Sequence, residues 1–134
     1  MQQERTNLAV DWGDVDSLGH VNNLALMRYV QAARVHYFES VGLPVGAGQA
    51  EGPILAHIAC RFCTPLFYPD TVEVHTHAKH LGTTSLVLAH SLYNGQGQCV
   101  AQAEDVLVYF AYAQNEKRPW PQHLRDAIQQ KGVG

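Results

Sequence analysis

The segment from Leu24 to Val41 limits what this chain can fold into more than any other. It contains no Gly or Pro, and it follows Asn22 and Asn23, either of which can cap a helix. Apolar residues recur at steps of three and four, at Leu24, Met27, Val30, Phe38 and Val41. The opposite side is also largely apolar, with Leu26, Tyr29, Ala33 and Tyr37. A helix that is apolar most of the way round has to be covered by other parts of the protein.

Strand-like stretches follow this helix and a Gly-rich connection. They are separated by turn signals at Pro69-Asp70, Gly82 and Asn94-Gly95, and the last three alternate apolar with polar residues. The stretches run from Ile54 to Leu66, Thr71 to Leu81, Thr83 to Tyr93 and Gln98 to Tyr112. We expect an antiparallel meander here.

Shorter elements are predicted near the two ends. Residues Asn7 to Trp12 resemble a strand, and a short helix follows Pro119, with Pro121 in its first turn and Gly132 at its end. The order of elements predicts an α+β fold, in which an antiparallel sheet of about five strands curls round the long helix. Neither an internal repeat nor an interdomain linker is found, so residues 1–134 are predicted to form a single domain.

The composition restricts the partners of the chain. Of the 134 residues, 46% are apolar and only 16% are charged, which predicts that part of the surface is buried in a homo-oligomer. The net charge is -3 and no run of Lys or Arg occurs, so nucleic acid is not an expected partner. The apolar runs are too short to span a membrane. An odd number of cysteines and a polar start without an apolar signal segment favour the cytoplasm.

Two acidic residues, Asp14 and Asp16, stand close together in the stretch WGDVDSLGHVNN, just before the predicted helix. Solvation accounts for one carboxylate in a loop, whereas the whole arrangement indicates a site. The N-terminus of the helix adds unpaired backbone N–H groups and the positive end of the helix dipole. Such N–H groups stabilise an oxyanion, and a carboxylate can attack a carbonyl or activate water.

This stretch, followed by Ala32-Ala33-Arg34 in the helix and Gly42-Leu43-Pro44 after it, resembles the hotdog-fold acyl-CoA thioesterases of the 4-hydroxybenzoyl-CoA thioesterase type. The likeness covers nearly the whole chain. Later segments that agree with it are Thr64-Pro65 with Tyr68-Pro69-Asp70, Gly82-Thr83-Thr84-Ser85, and Arg118-Pro119-Trp120-Pro121. The resemblance implies a hotdog fold, subunits joined edge to edge as a dimer or a dimer of dimers, and active sites at the subunit interface.

The resemblance also implies a reaction, the hydrolysis of an acyl-CoA thioester to the free acid and the thiol, without a metal or a bound cofactor. By position in the family motif, Asp16 is the catalytic carboxylate, either nucleophile or general base, and the Asn23 N–H polarises the carbonyl. His20 orients Asp16 or the substrate, or else bonds backbone in the turn. Asn22 is a helix cap or a substrate ligand. Ser85 lies near the thioester or is a solvent-facing strand residue.

The phosphates of CoA require basic residues at the mouth of the pocket. The candidates are Arg61, Lys79, Lys117 and Arg118, each of which can also be a solvated or structural charge. Where some relatives carry adjacent arginines before the Ser85 position, this chain has Gly82-Thr83. The thioester carrier is therefore CoA or an acyl carrier protein.

Other patterns in the sequence are not interpreted as functional sites. Cys60-Arg61-Phe62-Cys63 has zinc or redox spacing, but positions three apart in a strand point to opposite faces, so two buried thiols are expected. His75 and His77 share a strand face, but with His80 they lack an acidic or Cys partner for a metal. The chain has no Gly-x-Ser-x-Gly elbow and no phosphate-binding P-loop.

Two other functions stay open from the sequence. One is a module that binds acyl thioesters without turnover, and the other is an interaction domain whose dimer surface is its function. An Asp16 that faces a pocket at the subunit interface favours the enzyme, whereas one consumed by capping bonds favours the binding module. The interaction domain predicts no interface pocket. Asp14 is interpreted as shaping the loop, with direct participation in the reaction as the alternative.

Overall fold

A computed structural model describes residues 3–134. Within this range the chain forms six strands and two helices. In chain order they are β1 (Glu4–Ala9), α1 (Asn23–Ser40), β2 (Glu51–Phe62), β3 (Thr71–Leu81), β4 (Ser85–Tyr93), β5 (Cys99–Ala111), β6 (Glu116–Lys117) and α2 (Gln122–Lys131). Neither of these helices is long and apolar enough to cross a membrane.

All the strands belong to one antiparallel sheet with the order β1-β3-β4-β5-β2, and the short β6 pairs with the end of β5. The predicted meander is β3, β4 and β5, whereas β2 lies beyond β5 at the edge. Register shifts interrupt three ladders, after Leu55, Ala78 and Leu92. Such bulges increase twist and bend a sheet. The sheet therefore curls, but it does not close, because β1 and β2 remain separate edges.

The long helix α1 begins and ends where the sequence predicts. Asn22 is its N-cap, because the side-chain Oδ1 accepts the Ala25 N–H at 2.8 Å. At the other end Gly42 has a φ of +79°, and the Leu43 N–H donates to the Phe38 carbonyl at 2.9 Å. A left-handed residue at this position ends a helix at little steric cost when it is Gly.

One face of α1 is buried against the sheet. Its buried residues are Ala25, Leu26, Tyr29, Val30, Ala33, Arg34, Tyr37 and Phe38, which repeat in adjacent pairs every four positions. They pack on the alternating buried side chains of β3 and β4, such as Val72, Val74 and Leu92. α2 covers the other end of the core with Leu124 and Ile128. This arrangement confirms the hotdog fold, with a sixth short strand in addition to the expected five.

Several boundaries differ from the prediction. β1 covers Glu4–Ala9 rather than Asn7–Trp12, because Trp12–Asp14 form a 3₁₀ turn capped by Asp11. β2 starts at Glu51 and ends at Phe62, since the chain leaves the ladder before Pro65, which cannot donate a ladder hydrogen bond.

Four further expectations from the sequence are also corrected. β6 was not predicted, because two residues give no periodic signal. α2 starts at Gln122, so Pro121 precedes its first turn. Leu24, expected on the packed side of α1, is 67% exposed. The expectation of two buried thiols is wrong, because Cys60 is half-buried and Cys63 is exposed past the end of β2.

Candidate active site

The motif that precedes α1 forms a loop tied to neighbouring backbone. The Asn22 N–H donates to the Asp14 carbonyl at 2.9 Å, inside the loop. The Val21 N–H donates to the carbonyl of Leu66, in the segment after β2, at 2.8 Å. These main-chain bonds fix the position at which the loop passes into the helix.

Asp14 attaches this loop to the first turns of α1. Its side chain is buried, and it accepts hydrogen bonds from the Tyr29 hydroxyl at 2.7 Å, from the Arg28 guanidinium and from the Asp11 N–H at 3.3 Å. Burial, together with the Asp14 hydrogen bond and charge, raises the pKa of Tyr29 well above its usual value. The phenol therefore remains a donor. Both oxygens of Asp14 are occupied by structural partners, which is consistent with the interpretation that Asp14 shapes the loop.

Asp16 is exposed on the same loop, in a tight turn. Its Oδ1 accepts the Leu18 N–H at 2.9 Å, and its own N–H donates to the His20 carbonyl at 2.9 Å. Gly19, with a φ of +88°, allows the chain to reverse. Among the described residues no donor contacts the second carboxylate oxygen of Asp16. One oxygen of this carboxylate is thus held by the turn, and the other is open.

The N-terminus of α1 follows directly. Asn22 serves as the cap, which is one of the two roles expected for it. Asn23 is the first helical residue, so its N–H has no acceptor within the helix. Its side chain is exposed. Because this N–H lies at the positive end of the helix dipole, it can stabilise a negative charge that develops beside it.

A cavity of about 300 Å³ opens beside this helix end. It is mainly apolar, and its lining consists of His20, Val21, Asn23, Leu26, residues 62–66 and Val100. The His20 ring stands edge-on to the Phe67 ring, with 5.6 Å between centroids. The structure therefore brings His20 and Asn23 together at an apolar cavity, while Asp16 and Asn22 lie close by in the chain but do not line it.

Ser85 lies far from this cavity within one subunit. It is the first residue of β4 and pairs with Val108 on β5, whereas the cavity is lined by Val100 of β5. Eight residues of extended strand separate the two positions on β5, roughly 27 Å. A contact between Ser85 and a molecule in this cavity therefore requires a second subunit.

Three basic candidates, Arg61, Lys79 and Arg118, do not line the cavity, and neither does the fourth, Lys117 of β6. Arg61 and Lys79 line a separate cavity of about 690 Å³, and Lys79 Nζ lies 2.5 Å from Glu104 Oε2. Arg118 pairs with Glu116 of β6 at 2.5 Å. Arg61 is the one of the three without a carboxylate partner among residues 3–134.

A buried polar network beneath α1 was not predicted from the sequence. Arg34 Nε donates to Asp105 Oδ2 at 2.8 Å, and His90 Nε2 lies 2.7 Å from the same oxygen. His90 Nδ1 lies 2.8 Å from Thr76 Oγ1. Burial alone would raise the pKa of Asp105, but hydrogen bonds and charge from His90 and Arg34 outweigh burial and hold the pKa below its usual range. The signal was present as charged residues at core positions of α1 and β5.

The chemistry available at the helix end is that of a carboxylate and a backbone N–H beside an apolar cavity. In the described part of the chain no group of three His, Cys, Asp or Glu side chains is arranged to hold a metal ion. The N–H can polarise a carbonyl, and the carboxylate can attack the carbonyl carbon or activate water. These two steps are what hydrolysis of an activated acyl group requires.

Comparison with known proteins agrees with this chemistry. Residues 10–128 match the sequence model of the thioesterase-like superfamily. The PA2801 protein of Pseudomonas aeruginosa, whose name presents it as a candidate thioesterase, is 37% identical, covers 95% of this chain and 99% of its own, and has a TM-score of 0.88. A candidate esterase of Aquifex aeolicus is 27% identical over 86 residues, 63% of this chain and 67% of that protein.

A more distant structure shows the fold alone. The DHNA-CoA thioesterase of Staphylococcus aureus has a TM-score of 0.89 at 15% identity, with 97% of this chain and 91% of that protein covered. The family match spans most of the chain, and it agrees with the fold and with the resemblance carried by the motif before α1. The chain belongs to the thioesterase-like superfamily and is a thioester hydrolase with the hotdog fold.

Proposed function

We propose that the protein hydrolyses acyl-CoA thioesters at the N-terminus of α1. The observation that carries this proposal is the meeting of an unpaired helix N–H at Asn23 with an apolar cavity, beside the turn that presents Asp16. The acyl group occupies the cavity, because apolar lining with a few polar groups at one end is what an acyl chain and its carbonyl need.

Each residue of this site has one role in the proposed reaction. The Asn23 N–H donates to the thioester carbonyl oxygen and stabilises the negative charge of the transition state. Asp16 either attacks the carbonyl carbon, which releases the thiolate and leaves an anhydride for water to cleave, or deprotonates the attacking water. Both routes give the free acid and the thiol. His20 orients the substrate, since its ring lines the cavity.

The second subunit binds along β2. This edge strand has twelve residues, pairs with β5 alone among the described strands, and exposes Ile54, Leu55 and Phe62. A long apolar edge is a template for pairing with another chain, and two identical edges pair about a twofold axis. The proposed assembly is a homodimer, which can associate further as a dimer of dimers.

This pairing gives Ser85 a role in substrate binding. Antiparallel pairing of two β2 strands sets the Phe62 end of one strand beside the Glu51 end of its partner. Ser85 pairs with Val108, and Val108 pairs with Ile54 close to that Glu51 end. The Ser85 region of one subunit thus approaches the cavity of the other, so the proposed active site is shared between two subunits.

The carrier is bound outside the cavity. Arg61 is the best placed of the four basic candidates, because it directly precedes Phe62 of the cavity wall and has no carboxylate partner in residues 3–134. Lys79 and Arg118 would first have to leave Glu104 and Glu116. Weak phosphate contacts are consistent with an acyl carrier protein as an alternative carrier. Three free thiols agree with the proposed cytoplasmic location.

The family match favours the hydrolase; the alternative that the sequence left open is a module that binds acyl thioesters without turnover. The observation that favours it is that Asp16 does not line the cavity in one subunit and already accepts the Leu18 N–H. The two candidates differ in one measurable property, the release of thiol from a thioester.

The variant Asp16→Asn tests the proposal. Asn keeps an Oδ1 acceptor for the Leu18 N–H, so the turn persists while the carboxylate is lost. We expect turnover of short, long and aromatic acyl-CoAs to fall at least about a hundredfold. Asp11→Asn is the matched control, because Asp11 is also exposed and its Oδ1 accepts the Gly13 N–H at the same 2.9 Å. Its turnover should stay close to wild type.

The outcomes separate the candidates. A wild-type protein that binds thioesters but releases no thiol is the binding module. An Asp16→Asn variant as active as wild type shows that another group performs the attack.

A further inference from the structure

The three cysteines meet beside the proposed acyl cavity. The Sγ atoms of Cys60 and Cys63 each lie 3.9 Å from the Arg61 carbonyl oxygen. The Cys63 N–H donates to the Val100 carbonyl at 2.9 Å, which places Cys63 next to Cys99. The Cys63 thiol lies near enough to the Cys99 thiol to contribute to the raised pKa of Cys99. Although they are 36 residues apart in the chain, these two cysteines are therefore neighbours.

The members of this cluster differ in exposure. Cys63 is exposed and lines the cavity, whereas Cys60 and Cys99 are half-buried and do not line it. Burial raises the pKa of Cys60 and of Cys99, so both keep their protons at neutral pH. A small oxidant that enters the cavity therefore meets Cys63 first, with the less exposed Cys99 thiol nearby.

We propose that Cys63 and Cys99 form a peroxide-responsive pair whose disulfide lowers turnover at the adjacent site. Hydrogen peroxide converts the Cys63 thiolate to a sulfenic acid and releases hydroxide. The sulfur of Cys99 then attacks the sulfenic sulfur, the S–S bond forms, and water leaves with the Cys99 proton. Overall, two thiols and one peroxide give one disulfide and two waters. The disulfide stands independently of the proposed function, whereas its effect on turnover rests on it.

The effect of the disulfide on turnover follows from the position of Cys63 directly before the cavity wall. The residues directly after it, 64–66, form the cavity wall, and the Leu66 carbonyl accepts the Val21 N–H. Val21 lies two residues before Asn23, whose N–H is the proposed carbonyl donor. A disulfide bond to Cys99 moves Cys63 toward β5 and thereby displaces the residues of this cavity wall. We therefore expect a several-fold fall in kcat/KM that a thiol reductant reverses.

Mass spectrometry of the full chain tests the disulfide. The reduced protein is treated with about one equivalent of hydrogen peroxide and then analysed as intact protein and by peptide mapping. We expect wild type to lose two hydrogens and to yield a cross-linked peptide pair that contains Cys63 and Cys99. Cys60→Ser is the matched control, because it removes the third thiol of the same cluster and should still form this cross-link. Cys99→Ser should instead accumulate oxygen atoms on Cys63.

The outcomes are distinct for each part of the proposal. A cross-link between Cys60 and Cys63, or oxygen addition at Cys63 without any cross-link in wild type, overturns the pair. A Cys63–Cys99 disulfide that leaves kcat/KM unchanged overturns its control of turnover. Absence of thiol release by the fully reduced protein contradicts the proposed function instead, and mapping of the disulfide is unaffected by that result.

Discussion

The variant Asn23→Pro tests the backbone N–H proposed to hold the carbonyl oxygen. Proline removes this N–H, and the first helical position is where a helix tolerates proline best, because the N–H there has no intrahelical acceptor. Asn22 already has a φ of -73° and a ψ of 159°, which a residue before proline prefers. The Asn23 side chain is exposed, so the ring extends into solvent. We expect a folded protein with a free energy of unfolding within about 1 kcal/mol of wild type.

The expected loss of activity follows from the number of donors that remain. Removal of one oxyanion donor costs about 2.7–4 kcal/mol in activation free energy, a factor of about 10²–10³ in kcat. Because the Leu24 N–H is also free of an intrahelical acceptor and stays in place, we expect the lower end, about a hundredfold. Thiol release from an acyl-CoA measures kcat, and circular dichroism verifies the fold.

Asn23→Ala is the control for this variant, since it keeps the N–H and removes only the side chain. Its kcat should fall far less than that of the proline variant. A folded Asn23→Pro protein with wild-type kcat would refute the role of the N–H. An alanine variant as slow as the proline variant would assign the role to the side chain.

Three further predictions concern stability and assembly. Asp105→Asn leaves the buried Arg34 guanidinium without its counter-charge and should lower the free energy of unfolding, measured in urea, by about 3–5 kcal/mol. Glu104→Gln, on the exposed side of β5, should lower it by less than about 1 kcal/mol. Equal losses of unfolding free energy in the two variants would contradict this prediction. Because the fold lowers the pKa of Asp105, its contribution is complete above the unfolded value of 3.8 and is lost as pH falls through the folded value, so the gap between wild type and Asp105→Asn should narrow in acid unfolding curves. Leu55→Lys should yield monomers in sedimentation. Val45→Lys is the control and should leave the dimer intact, because Val45 is as exposed as Leu55 (44% and 43%) but lies outside β2. A Leu55→Lys protein that remains a dimer would place the interface elsewhere.

The parts of the fold that could be predicted are those with local signals. The Asn22 cap and Gly42 delimit an uninterrupted apolar segment, and the alternation in β3 and β4 matches their burial. The place of β2 at the edge of the sheet had no such signal, because most of its residues are exposed on both faces of a single subunit. The apolar residues of β2 are typical of a core strand, although they lie on an open edge of the sheet. That residues 1–134 form one domain stays a prediction.

The candidate site shows the same division. The family resemblance distinguishes the two acidic residues by their positions in the motif, but the partners that occupy Asp14 lie on α1 and follow only from the fold. Arg34 and Asp105 are 71 positions apart, so no local pattern reports their pairing. The assignment of Asp16 and Asn23 as site residues remains a prediction that the variants above will test, and the assignment of Ser85 remains a prediction that depends on the proposed dimer.

The link between Val21 and Leu66 has a consequence for how such proteins diversify. Because main-chain atoms alone make this bond, the side chains of residues 62–65, which lie outside the core, can be exchanged without moving the start of α1. In the proposed site, acyl preference can therefore drift during evolution at these four positions while the reaction itself is inherited unchanged. For engineering, a small combinatorial library confined to them is the shortest route to a new substrate range.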